Sequence, residues 1–176
     1  VGTIGWVNSI SHDILKQNTL VLAKTAKILG MPIVMTSSME FMVQGPIFPE
    51  LAEAAPEAHA ARVQRAGIIN AMDEEAFAAA VRATGRKNVV IAGVTNDVCT
   101  VFPALTLVAE GFNVQVVADA GGSPTTISED MALRRMASGG VTLTGTNQVV
   151  AELTGNWATE EGGQVVQILM GALMGG

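Results

Sequence analysis

Apolar positions in this chain follow two patterns, short continuous runs and longer stretches that repeat every third or fourth residue. β-Branched runs bounded by glycine or polar residues read as strands covered on both faces, and the repeating stretches as helices with one buried stripe. The runs predict strands at Pro32–Thr36, in a short segment ending near Arg65, at Asn88–Gly93, at Val114–Asp119 and at Val141–Thr144. Helical spacing predicts helices from Ser11 to about Leu29, from about Asp73 to Thr84, from Cys99 to a stop at Gly111, from Glu129 to Ser138, over Asn147–Leu153, and from Thr159 through Met174. The predicted caps are Ser11, Asn96 or Asp97, and Ser128 at the starts, with Gly30, Gly111 and Gly139-Gly140 at the ends.

Between these elements, Phe41–Ala61 carries Pro46, Pro49 and Pro56. It reads as a long loop with a short helix at Pro49–Ala54, of the kind that caps a site or contacts a neighbour, with His59 exposed. Ala120–Ser123 reads as the exit turn of a strand, its glycines letting backbone approach the site closely. Strands alternating with helices give a three-layer α/β/α, Rossmann-like fold with a mainly parallel sheet and right-handed crossovers. Without a repeat or linker, residues 1–176 are expected to form one domain. Val1–Val7 reads as the loop after a strand, so a first strand is expected upstream of this sequence.

Composition narrows the function classes. Hydrophobic residues make up 49% and charged residues only 15%, a balance that predicts surface covered by further copies in a homo-oligomer. A net charge of −6 and a pI near 4.8, without a basic cluster, argue against nucleic acid or an anionic membrane as partner. One cysteine excludes an internal disulfide and a cysteine-based metal cluster. Gly121-Gly122 belongs to neither phosphate-loop pattern, so no cofactor is expected. No run approaches the roughly 20 apolar residues of a membrane span and no signal peptide is visible, which makes a cytoplasmic enzyme or binding protein the expectation, with a small molecule as substrate.

The chemistry centres on Cys99. It stands where a buried strand gives way to a helix, the end at which open α/β sheets place ligands. Free N–H groups at a helix N-terminus favour a thiolate and can hold an oxyanion. A lone cysteine is otherwise a small buried hydrophobe, and the strand-turn-helix setting brings the two readings level. Arg65 lies at another strand-to-loop junction, where an arginine by itself is usually a surface ion-pair partner. Ser37, Asn70 and Asn96 are candidate pocket-lining residues, and His12 reads as a solvated first-turn residue.

Val90-Ile91-Ala92-Gly93-Val94-Thr95-Asn96-Asp97-Val98-Cys99, continuing through Phe102-Pro103-Ala104-Leu105 and Glu110-Gly111-Phe112, resembles the nucleophile segment of the isochorismatase-like cysteine hydrolases. Ala66–Ala71 and Val117–Gly122 are similar to stretches of the YcaC-type branch, and the likeness runs from Val1 to about Trp157. The resemblance implies an Asp–Lys–Cys triad with arginine in place of lysine in that branch. Cys99 then matches the nucleophile and Arg65 the basic member, while the aspartate belongs just ahead of Val1. Neither His12 nor Asp13 stands in its place.

The resemblance further implies a cis peptide at Val94-Thr95, with the Thr95 and Cys99 N–H groups as oxyanion donors, and ring-like assemblies with an octamer as the candidate form. The activity it implies is a cysteine hydrolase acting on a small amide, nitrile or related C–N substrate through a covalent intermediate. The alternative is an oligomeric protein of the same fold with a binding or scaffold role and no catalysis. A thiol-redox protein is the third reading, and this sequence holds no resolving cysteine for it.

Overall fold

The computed structural model describes residues 2–42 and 44–174. The chain enters through a 3-10 turn (Gly2–Trp6) and continues as α1 (His12–Ile28), β1 (Thr36–Ser38), α2 (Pro49–Ala54), α3 (Pro56–Ala60), β2 (Val63–Arg65), α4 (Glu75–Ala83), β3 (Asn88–Val94), α5 (Val101–Ala109), β4 (Asn113–Gly122), α6 (Thr126–Ser138), β5 (Thr142–Thr144), α7 (Thr146–Thr154) and α8 (Glu160–Met174). The described strands form two parallel sheets, β1-β2 and β3-β4-β5. Parallel pairing requires a crossover between neighbours, and helices supply it here. The mixed α/β architecture with parallel sheets agrees with the reading of the sequence.

β4 organises the core because both of its faces are covered. Val114 and Val116 pack with Ala78 and Val81 of α4, Val101, Ala104 and Leu107 of α5 and Met136 of α6. Val117 and Ala120 pack on the other side with Val21 of α1, Val149 and Val150 of α7 and Val165 of α8. Each fully buried valine or leucine contributes about 1.5–3 kcal/mol relative to exposure, so the strand and its helices fold as one unit. The register shifts between Ile91 and Gly93, after which Gly93 pairs with Gly121 and Val94 with Gly122.

Several local expectations change. Ile33, Val34 and Met35 stay outside any strand, and β1 begins only at Thr36. A ladder needs a neighbour, and β2 first offers one at Val63, whose N–H donates to Met35 O at 3.0 Å before Thr36 pairs with Val63. Ala120–Gly122 is strand rather than exit turn, since β3 still pairs with it there. The predicted close approach is real nonetheless: a Cβ on Gly121 would lie 2.6 Å from Gly93 O, and one on Gly122 2.5 Å from Val7 Cγ1. Thr125, not Ser128, caps α6, and the two form a reciprocal capping box. α3 is an additional helix, and His59 at its end is half-buried, its carbonyl accepting from Arg62 Nη1 at 2.9 Å.

Candidate active site

β3 delivers the chain to the site. Beyond the cis peptide at Val94-Thr95, Asn96–Thr100 forms a single π-helical turn, and α5 starts only at Val101. The Thr95 carbonyl accepts from Thr100 N–H at 3.1 Å and Val98 N–H at 3.4 Å. Thr95 therefore heads the turn, and Asn96 and Asp97 lie inside it rather than capping a helix. Cys99 sits in this turn as a free, half-buried thiol. Gly111 closes α5 at a φ of 83°, a conformation that glycine adopts without a steric penalty.

Asn96 is completely buried. Its Nδ2 donates to Glu129 Oε1 at 2.8 Å and to Ala118 O at 3.3 Å. The other oxygen of Glu129 accepts from Ser123 Oγ at 2.6 Å, and Ser123 too is fully buried. One carboxylate on α6 thus fastens the turn that holds Cys99 to the end of β4. Asn96 is a structural clamp, not the pocket-lining residue the sequence suggested. Glu129 escaped the sequence reading, because an acid in the first turn of a helix ordinarily serves the helix dipole.

Arg65 ends β2 and is only 5% exposed. Its Nε donates to Thr36 Oγ1 at 3.1 Å, and its Nη1 donates to the carbonyls of Ile68 and Ile69. No carboxylate pairs with it among the described residues, so the surface ion-pair role is excluded. Burying a guanidinium without an anion is costly, and three neutral acceptors carry the compensation here. Arg65, Cys99, Thr36, Gly93, Val94 and Thr100 all line one cleft of about 1400 Å³.

The remaining candidates lie elsewhere. Ser37 is buried within β1, opposite Gln64, and does not line the cleft, whereas its neighbour Thr36 does. Asn70 accepts from Met72 N–H at 3.1 Å and donates to Thr106 Oγ1 at 3.1 Å, so it caps a turn and ties it to α5. The His12 Nε2 lies 2.8 Å from Val7 O, which makes that residue a tie to the entry loop instead of a solvated group. Thr95 is buried at the head of the cysteine turn.

Further charged residues tie neighbouring elements together. Arg62 donates to both oxygens of Glu40, at 2.7 and 2.9 Å, and this hydrogen bonding holds the Glu40 carboxyl down to about 2 despite its burial. Asp119, on β4, accepts from both the N–H and the Oγ1 of Thr146 at 2.7 Å, anchoring the start of α7.

Residues 8–148 match the model of the Isochorismatase domain. The chain belongs to the isochorismatase family of hydrolases. The probable hydrolase YcaC of Escherichia coli (strain K12) is 39% identical over 159 residues, which span 90% of this chain and 76% of that protein. Among solved structures, YcaC from Pseudomonas aeruginosa, with hexane-2,5-diol and covalent acrylamide, superposes with a TM-score of 0.91 at 38% identity over 99% of this chain and 87% of that one. E. coli YcaC, described as an octameric hydrolase of unknown specificity, also reaches 0.91, at 38% identity over 98% and 82%. The YcaC-type resemblance is therefore upheld. No helix among the described residues is long and apolar enough to cross a membrane.

Proposed function

We propose that this isochorismatase-family chain is a cysteine hydrolase of a small amide, nitrile or related C–N substrate, with Cys99 as nucleophile. The observation that carries this reading is the shared cleft: a free thiol in the turn at the carboxyl end of β3, facing the same space as a buried arginine that no carboxylate neutralises. The Cys99 sulfur attacks the carbonyl or nitrile carbon: an amide expels its amine, which carries away the thiol proton, and leaves a thioester, while a nitrile takes that proton on its nitrogen and becomes a thioimidate. Water then releases the product and regenerates the thiol. Arg65 stays protonated throughout, so it acts by its field on the thiolate and on the developing charge and exchanges no proton. The Thr95 and Cys99 N–H groups are the oxyanion donors of this reading.

The covalent acrylamide of P. aeruginosa YcaC supports a nucleophile in this family branch, since acrylamide is an electrophile that thiolates add to. The octameric description of E. coli YcaC supports a homo-oligomer here, as does the low share of charged residues. A cytoplasmic setting with no nucleic-acid or membrane partner goes with the acidic, apolar composition.

The second reading is a non-catalytic protein of the same fold with a binding or scaffold role. The two separate by titrating the protein with iodoacetamide while assaying hydrolysis of a panel of small amides and nitriles. The hydrolase reading expects activity to fall in proportion to Cys99 modification and to vanish in Cys99→Ser. Turnover that survives complete modification removes Cys99 from the nucleophile role, and a panel without turnover in the untreated protein leaves the binding role.

A further inference from the structure

The turn that carries Cys99 does not hold itself in place. Asn96–Thr100 is one π-helical turn, and two backbone bonds fix its head, from Val98 and Thr100 N–H to Thr95 O. A π turn closes a wider ring than an α turn and occurs mostly as a single insertion of this kind. Two side-chain oxygens of the turn, Asn96 Oδ1 and Asp97 Oδ1, are buried without a donor among the described residues. Unpaired buried acceptors are costly, so the turn keeps its shape through contacts made elsewhere.

Those contacts converge on Glu129. The reciprocal capping box of Thr125 and Ser128 fixes the first turn of α6, immediately ahead of Glu129. From there one carboxylate oxygen accepts from Asn96 Nδ2 at 2.8 Å and the other from Ser123 Oγ at 2.6 Å. Ser123 uses all of its remaining polar groups as well. Its N–H donates to Ser9 Oγ at 2.9 Å, and its carbonyl accepts from Asn8 and Ser9 N–H at 3.0 and 3.1 Å. One continuous path of hydrogen bonds therefore runs from the cysteine turn through Glu129 and Ser123 to the loop at Asn8-Ser9.

The path serves placement more than stability. Glu129 has no cationic partner among the described residues, so neutral donors alone compensate its carboxylate. Asn96 is completely buried with its Oδ1 unpaired, in the space that a side chain at Gly121 would need. An apolar pair of the same shape would fill this space without stranding an acceptor. The polar pair supplies direction instead, since a hydrogen bond fixes angle as well as distance and a connected buried network specifies one arrangement. Asn96 lies next to Thr95 and three residues ahead of Cys99, so its orientation sets that of both N–H groups and of the thiol. A displacement of about 1 Å in reacting groups can cost about a hundredfold in rate.

We propose that Glu129 is a positioning residue for Cys99. Through Asn96 it sets the orientation of the turn that carries the thiol, and through Ser123 it keeps that turn in register with the loop at Asn8-Ser9. This role rests on the reading of Cys99 as a reactive thiol, and Glu129 itself touches no substrate.

The test is the pH profile of Cys99 alkylation by iodoacetamide, measured on the native protein, on the same chain unfolded in urea, and on Glu129→Ala, Asn96→Ala and the double variant. Val165→Ala, which opens a cavity in the core cluster of α1, α7 and α8, is the control that lowers stability without removing a member of the path. Each single variant of the pair should move the native profile toward that of the unfolded chain and change the rate at neutral pH by about threefold or more, the double variant going no further than the larger single change. Val165→Ala should leave the profile in place. A wild-type profile in Glu129→Ala overturns the proposal. So do single effects that multiply in the double variant, and so does an equal shift in Val165→Ala, which assigns the change to general loosening. In those cases the native and unfolded profiles of the wild type still differ, and the reactive thiol stands. A native profile equal to that of the unfolded chain overturns both. If the alanine variants do not fold, Glu129→Gln decides: it keeps the size of the side chain, the same shift is expected, and a wild-type profile overturns the proposal.

Discussion

Asn96, three residues before Cys99, is completely buried and donates from its amide to Glu129 on a different helix at 2.8 Å. The position of Cys99 therefore depends on α6, more than twenty-five residues further along the chain. Glu129→Gln exchanges an acceptor oxygen for an amide and leaves either Asn96 Nδ2 or Ser123 Oγ facing another donor. An unsatisfied buried donor costs about 1–3 kcal/mol. Urea unfolding should show a loss of that size, with an altered rate of Cys99 alkylation in the folded protein. Ser123→Ala, which removes one donor and keeps the Asn96 bond, should cost less, and equal midpoints for wild type and Glu129→Gln would dismiss the clamp.

Arg65→Lys is not a mild change at this site. A lysine cannot reproduce the planar fork that serves Thr36 Oγ1 and the carbonyls of Ile68 and Ile69 together. Arg65→Met should destabilise by about 1–3 kcal/mol through the acceptors it strands. Arg65→Lys should fall between it and the wild type in thermal melts, and both should lower turnover if the hydrolase reading holds. A methionine variant as stable as the wild type would show that the three bonds contribute nothing net.

The Glu40–Arg62 pair sets an acid limit. The folded pKa of Glu40, about 2, lies below its ordinary 4.5, so its contribution is complete above pH 4.5 and disappears as pH falls toward 2. The side chain of Glu40 is 5% exposed and that of Arg62 17%, and residual solvent screening keeps the effect to about 1–3 kcal/mol. Denaturant midpoints of wild type and Glu40→Gln should differ at pH 7 and converge near pH 2. A constant difference across that range would assign the stabilisation to something other than ionisation.

Two glycines with crowded surroundings should respond differently to alanine. At Gly121 the new Cβ meets the carbonyl of Gly93 at 2.6 Å and the amide oxygen of Asn96, neither of which can move without disturbing the β3-β4 ladder or the clamp. At Gly139 it meets chiefly the tip of the Leu105 side chain, which can rotate away. Gly121→Ala should therefore cost about 1–3 kcal/mol and Gly139→Ala clearly less, as thermal melts would show. The reverse order would mean that Leu105 is held more rigidly than the strand pair.

Much of the layout was legible locally. The β-branched run of β3, the proline-initiated helix at Pro49–Ala54 and the glycine stop after α5 each follow from conformational preferences of a few consecutive residues, and each lies where the pattern predicts it. The capping box at Thr125 and Ser128 shows the limit of such reading. Both hydroxyls take part, and only the backbone conformation at Thr125 decides which is the cap. Ala120–Gly122 reads as a turn because glycine usually ends strands, but pairing with Gly93 and Val94 keeps it extended.

The sequence by itself determined the alternation of strand and helix, the cysteine at the end of a strand, and the family likeness, because periodicity and motif are properties of neighbouring residues. Tertiary structure alone decided which side chains share a space. It buried Arg65 beside the cleft of Cys99, tied Asn96 to Glu129, and left Ser37 and Asn70 outside the lining of that cleft. Burial and pairing depend on elements distant in the chain, and no local pattern records where those elements come to rest.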